Sequence, residues 1–199
     1  MPTPAPDAYV SRGALKLAHA LDTFAIDPAA LVCVDLGCST GGFTDCLLQR
    51  GARRVIAVDT AYGQLAWKLR SDDRVEVRER TNALHADPSE PVDLVVIDLG
   101  WTPQARAIPA ALRWLNPSGR IITLVKPHYE APKDTLGPGG VLAEPDAERI
   151  CETIRATWPT LAVRELGWTK SPVLGGAAGK RRKRGSGNAE WLALLQPAG

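Results

Sequence analysis

Leu31-Val-Cys-Val-Asp-Leu-Gly-Cys-Ser-Thr-Gly-Gly42 is the stretch on which the fold turns. Its first half is a short apolar run of the length and branching that suit a buried strand, and its second half breaks into glycine and small polar residues. Phe43 to Gln49 then reads as a helix ending at Gly51. A strand that passes through a glycine turn into a helix places backbone amides and a helix amino end where they can cradle a polar ligand. Asp59 closes the next strand, Arg53–Asp59, about 20 residues beyond Gly37, where a carboxylate can reach a ribose diol.

The same alternation runs outward in both directions. Before it, Arg12–Phe24 carries Leu15, Ala18 and Leu21 at helical spacing, with Ser11 as the expected N-cap and Lys16 off the strict apolar face. After it, strands are expected at Val75–Arg78, Val92–Asp98, Gly119–Lys126, Leu161–Leu166 and Ala189–Leu195. Helices are expected at Tyr62–Arg70, Pro103–Leu115 and Glu144–Trp158. The pattern predicts an α/β fold, a mostly parallel seven-stranded sheet with helices on both faces. It also predicts one domain over residues 11–199, with an extended leader at 1–10, a helical lead-in at 11–30 and a flexible basic loop at 175–187.

Composition agrees with one globular unit: 199 residues, 45% hydrophobic and 23% charged, exclude global disorder and a fibrous role. No apolar run is long enough to span a bilayer, so no membrane partner is expected, and a cytoplasmic location follows from the absence of an export signal at the amino end. Cys33, Cys38, Cys46 and Cys151 form no C-x-x-C pair and read as buried free thiols, and the three histidines are too dispersed for a metal site. The net charge of +2 rests on Lys180, Arg181, Arg182, Lys183 and Arg184, since the remaining chain is net negative. Set among glycines, that run suits phosphate contact or simple solvation.

Four ligand chemistries compete for the glycine turn. A dinucleotide fingerprint needs glycine where Ser39 stands, and a P-loop needs a lysine where Phe43 stands. Gly37-x-Ser39-x-Gly41 fits a hydrolase elbow, with Asp98 and His128 in the right chain order, but no earlier strand supplies the oxyanion amide. A turn around the amino-acid part of S-adenosylmethionine needs no phosphate-binding group and fits best.

Ser11-Arg-Gly-Ala-Leu-Lys16, Asp35-Leu-Gly-Cys-Ser-Thr-Gly-Gly-Phe-Thr-Asp-Cys46, Ala57-Val-Asp59, Tyr62-Gly-Gln-Leu-Ala-Trp-Lys-Leu-Arg70 and Lys126-Pro-His-Tyr-Glu130 together resemble the TlyA-type branch of the FtsJ-like ribose 2'-O-methyltransferases. The similarity runs from about Tyr9 to Leu195. It implies a Rossmann-like S-adenosylmethionine-dependent methyltransferase fold and a catalytic set of Lys16, Asp98, Lys126 and Glu190. For the cofactor it implies Asp35, Gly37, Ser39, Gly41, Gly42, Asp59, Asn82 and Asp98. The implied partner is RNA, ribosomal RNA or a ribosomal particle, with no metal. TlyA-type proteins typically also carry an amino-terminal RNA-binding module of the S4 class, whereas the motifs here begin at Ser11. Substrate capture is therefore expected to fall to Lys180–Arg184 or to an accessory RNA-binding protein.

Without the resemblance, Lys16 reads as a solvated helical lysine and Glu190 as an exposed edge residue, while Asp98 and Lys126 already stand at strand ends where functional groups collect. Lys126 has two open roles: a desolvated base that accepts the hydroxyl proton, or an ammonium that stabilises the developing alkoxide. Most tryptophans, among them Trp67, Trp114 and Trp158, read as packing residues. Trp101 and Tyr129 are candidates for base contact. Two rivals remain at this point, a non-catalytic RNA-binding or ribosome-assembly protein and a small-molecule methyltransferase.

Overall fold

The computed structural model describes residues 9–175 and 187–198. The sheet has seven strands: β1 (Val32–Leu36), β2 (Arg54–Val58), β3 (Val75–Arg78), β4 (Val92–Ile97), β5 (Leu115–Val125), β6 (Val163–Lys170) and β7 (Trp191–Pro197). Their order is β3-β2-β1-β4-β5-β7-β6. The first five run parallel; β7 enters antiparallel between β5 and β6. A chain that reverses direction on either side of β1 opens a crevice at the carboxyl ends of β1 and β4, the usual ligand position in such sheets.

Alternation along each strand feeds two cores. Val32, Val34 and Leu36 join Val95, Ile97, Ile121 and Trp114 on the face covered by α4 (Gln104–Leu112) and α6 (Glu144–Ala156). Cys33, Val55, Leu94, Ile122, Leu192 and Leu194 point to the other face, under α1 (Gly13–Thr23) and α2 (Gly42–Gln49). The short helices α3 (Trp67–Arg70) and α5 (Pro127–Glu130) follow strand ends at the crevice side. All four cysteines are free and buried, and among the described residues no helix is long and apolar enough to cross a membrane.

Several boundaries differ from the sequence expectation. The helix expected over Tyr62–Arg70 forms only at Trp67–Arg70, because Asp59 and Glu79 accept the amides of Ala61 and Gly63 and hold that segment irregular. The helix expected to run to Leu115 stops at Leu112, and β5 starts at Leu115 beside Val92. Trp158–Leu161 is a 3₁₀ turn, so β6 begins later and extends to Lys170. β7 likewise starts at Trp191, leaving Glu190 just ahead of it.

Ser11 does not cap α1. Arg12 occupies that position, while the Ser11 hydroxyl faces Gly42. Lys16 points inward and is buried, unlike the solvated lysine that the helix pattern alone suggests, because α1's amino half lies on the start of α2 and Lys16 reaches Glu190 ahead of β7. Trp67 is 78% exposed rather than packed.

Asp35 ties β1 to α2 from a wholly buried position, its Oδ2 accepting both the amide and the hydroxyl of Thr44 at 2.9 and 2.7 Å. Burial pushes its carboxyl up to about 7, against the lowering effect of the Thr44 bonds and with help from the charges of Asp98 and Asp59. An unfolded aspartate ionises near pH 4, so the folded state holds its proton across the window from about pH 4 to 7. Stability present below that window is lost as pH rises through it, by a few kcal/mol. Asp35→Asn, which keeps an acceptor for Thr44, should flatten that slope and be no less stable than the parent at about pH 8. Urea unfolding of both proteins at about pH 5 and pH 8 checks this.

Candidate active site

Three strand ends are laced together at the crevice. The amides of Gly37 and Cys38 donate to the Val58 carbonyl at 2.9 and 3.1 Å, and the Asp98 amide donates to Leu36 at 3.0 Å. Gly37 sits at φ +93°, and a Cβ there would stand 2.6 Å from the Asp98 carbonyl oxygen. Only glycine lets β1 turn so close to β4. A Cβ on Gly42 would meet the Ser11 hydroxyl and come within 3.0 Å of the Ala14 amide nitrogen, so α1 lies directly on the start of α2. Ser39, at φ +49°, donates its amide to Asp59 Oδ2 at 2.8 Å. Asp59 therefore braces the glycine turn as well as ending β2.

Between these elements lies a cleft of about 870 Å3, of the size that holds a nucleoside-sized ligand. It is lined by Gly37, Ser39 and Asp59, by Asn82 beyond β3, and by Asp98 and Lys126. A smaller pocket of about 110 Å3 adjoins it, walled by Ser11, Gly13, Gly42 and Asp98. Asn82 is exposed, and its Oδ1 accepts from the Leu84 amide at 2.9 Å. Trp101, 77% exposed and at φ +56°, stands on the lip against Tyr129, with ring centroids 4.4 Å apart.

Two lysine–carboxylate pairs stand near one another here: Asp98 and Lys126 line the cleft, while Lys16 and Glu190 line neither it nor the adjoining pocket and lie behind. Lys126 Nζ lies 2.5 Å from Asp98 Oδ1 and donates to the Leu99 carbonyl at 3.2 Å. Lys16, from α1, pairs with Glu190, from the turn into β7. Glu190 is 3% exposed because β7 is interior to the sheet, unlike the exposed edge residue that the strand pattern alone suggests. Burial works to strip Lys126 of its proton, but the charge and hydrogen bond of Asp98, with Glu190 behind it, win and hold the pKa above the ordinary lysine value. Burial raises Glu190 above the usual carboxylate range, against the pull of Lys16 and Lys126.

Of the residues expected here, Lys16, Asp98, Lys126 and Glu190 come together from four elements. Gly37, Ser39, Asp59, Asn82 and Asp98 line the main cleft, and Gly42 lines the adjoining pocket. Asp35 and Gly41 line neither and support the turn from behind: Asp35 through Thr44, Gly41 at φ +96° against Leu65 and Leu69. Lys180, Arg181, Arg182, Lys183 and Arg184 lie outside the described residues.

The sequence reading missed Ser11 as a wall and left His128 without a specific role. His128 is buried beside Tyr129, its Nδ1 has no hydrogen-bond partner among the described residues, and burial with the charges of Lys126 and Lys16 pulls it down to about 4. Its position two residues after Lys126 was the available signal. Among the described residues no group of three or more His, Cys, Asp or Glu side chains is placed to hold a metal ion.

The glycine cradle, the carboxylate of Asp59 and the absence of a phosphate-neutralising lysine on the turn suit a nucleoside carrying an amino-acid arm. Comparison with known proteins agrees. The chain is 45% identical over 198 residues to the 16S/23S rRNA (cytidine-2'-O)-methyltransferase TlyA of Mycobacterium tuberculosis, covering 95% of this chain and 69% of that one. Solved structures bearing the name hemolysin are also similar. One from Streptococcus thermophilus has a TM-score of 0.86 at 37% identity, covering 95% of this chain and 67% of that one. One from Lactococcus lactis has a TM-score of 0.85 at 36% identity, covering 94% and 88%. The model of the FtsJ-like methyltransferase family matches residues 9–178, and the chain belongs to that family of S-adenosylmethionine-dependent methyltransferases.

Proposed function

We propose that the chain methylates a ribose 2'-hydroxyl of ribosomal RNA through Lys16, Asp98, Lys126 and Glu190, within one methyltransferase domain spanning residues 11–199. The observation that carries this reading is the convergence of two lysine–carboxylate pairs, the half-buried Lys126–Asp98 on the cleft wall and the buried Lys16–Glu190 behind it, each member from a different element. Folding alone gains little from such pairs, since desolvating two ammonium groups and two carboxylates costs roughly what their attraction returns. The rRNA (cytidine-2'-O)-methyltransferase activity named for the mycobacterial relative supports the substrate class.

Residues Gly37, Ser39, Asp59 and Asn82 would hold S-adenosylmethionine, and Asp98 would face its donor end. Bound there, the cofactor supplies a methyl carbon activated by a sulfonium. Lys126, on the cleft wall beside Asp98, would meet the acceptor oxygen. Kept protonated by Asp98 and Glu190, it serves better as a hydrogen-bond donor that orients the hydroxyl than as a free amine. It would stabilise the negative charge that develops on that oxygen as the hydroxyl proton passes to water in the open cleft. Lys16 neutralises Glu190, so the set accepts that transient charge without collapsing onto one carboxylate. Trp101, tilted by 31° against Tyr129, offers a surface for the base of the target nucleotide. The five cations of Lys180–Arg184 suit phosphate contacts.

Three outcomes test this. Lys126→Met should keep the fold and cofactor binding yet lose about 10²- to 10³-fold in single-turnover methyl transfer, the scale of losing one preorganised charge-stabilising donor. Near-normal transfer would refute the role of Lys126, and loss of RNA binding alone would make it a positioning residue. Asp59→Ala removes the acceptor of two backbone amides and should weaken cofactor binding by tenfold or more, about the worth of a hydrogen bond to a charged group. Calorimetry reads it directly. Neutralising Lys180, Arg181, Arg182, Lys183 and Arg184 should lower the slope of log affinity against log salt by up to about 3.5 for single-stranded RNA, with cofactor affinity unchanged.

A further inference from the structure

Tyr62 is 69% exposed, with the Arg80 guanidinium carbon 4.3 Å from its ring centroid. The pair is held by backbone rather than by packing. The Ala61 amide donates to Asp59 Oδ1 at 2.8 Å, the Gly63 amide to Glu79 Oε1 at 2.7 Å, and the Arg80 amide to the Ala61 carbonyl at 3.2 Å. Arg80 itself sits in the left-handed region at φ +52°, a cost of order 1 kcal/mol that persists only where the surroundings impose it. Glu79, the neighbouring carboxylate, is taken by Arg70, and the Arg80 guanidinium lies on the ring instead.

Ala61 and Thr81 line the cofactor cleft, but Tyr62 and Arg80 do not. They stand on its outer lip. A fixed ring capped on one face by a guanidinium offers its other face for stacking, while the guanidinium edges remain available as donors to phosphate oxygens. An unpaired nucleotide uses both, whereas a base within a duplex presents no free face to an aromatic side chain.

We infer that Tyr62 and Arg80 form a stacking and phosphate contact for an unpaired nucleotide of the RNA substrate, outside the cofactor cleft. The inference rests on the RNA reading above and adds to it a recognition surface on the β2–α3 side, across the cleft from Trp101.

The test is an equilibrium titration of the full chain with a fluorescently labelled, unstructured single-stranded RNA oligonucleotide at low and moderate salt. Cofactor affinity is measured by calorimetry on the same proteins. Tyr62→Ala should raise the RNA Kd about tenfold, the scale of one lost stacked base. Tyr62→Phe, which keeps the ring, should stay within about twofold of the parent. Arg80→Ala should raise Kd and lower the salt slope by about 0.7 to 1. Cofactor affinity should be unchanged in all three, which also shows that they are folded. An unchanged RNA Kd in Tyr62→Ala would overturn the inference. So would a parallel loss of cofactor affinity, which would assign the pair to the cleft, or altered self-association at constant RNA affinity, which would assign it to a protein contact. Failure of the parent chain to bind any RNA is a separate result and refutes the RNA reading itself.

Discussion

Two lysine–carboxylate pairs, one buried and one half-buried, are the constraint around which the molecule is arranged. Lys126–Asp98 bridges the ends of β5 and β4, and Lys16–Glu190 bridges α1 to the start of β7. Removing Lys16 would leave Glu190 with an uncompensated charge in a poorly solvated place, whereas Asp98, a quarter exposed, keeps access to water if Lys126 is lost. The elements that carry the four residues are therefore bound to one another. α1 must lie on the sheet with Lys16 inward, and β7 must pass beside β5. The glycine turn must stay narrow enough for α1 to rest on α2, which Gly42 allows by facing the Ser11 hydroxyl with no side chain of its own.

Much of this was legible in the chain. The strand–glycine–helix unit at Leu31–Gln49 fixes a parallel α/β sheet, and branched runs such as Leu94–Ile97 name its interior strands. Asp98 and Lys126 announce themselves as polar residues ending apolar strands. Lys16 and Glu190 do not: α1 has polar and apolar residues in ordinary proportion, and local pattern cannot show that a second layer covers its supposedly free side. For Glu190 the obstacle is topology. A late strand is assigned to an edge by default, and only the three-dimensional order β5-β7-β6 makes it interior. The irregular segment from Ala61 to Ala66 escaped for a related reason, because the carboxylates that divert its amides include Glu79, which lies beyond β3.

Asp59 shows how one side chain joins separate tasks. Its two oxygens accept from Ser39 on the glycine turn and from Ala61 on the segment that carries Tyr62, and its carbonyl accepts from Thr81 beside Arg80. The wall of the cleft and its outer lip are thus one hydrogen-bonded unit rather than two neighbouring loops.

The interior position of β7 also has a consequence for how the molecule is made. Among the described strands it is the last in sequence, yet it separates β5 from β6. Until it inserts, β6 has no partner in the sheet, and the gap beside β5 is closed only by contacts between distant parts of the chain, the kind whose closure entropy slows folding. The strands that frame the glycine turn can assemble earlier, from nearer neighbours. An incompletely folded chain would then possess the glycine turn but lack the counterion of Lys16, which arrives only as β7 closes the sheet.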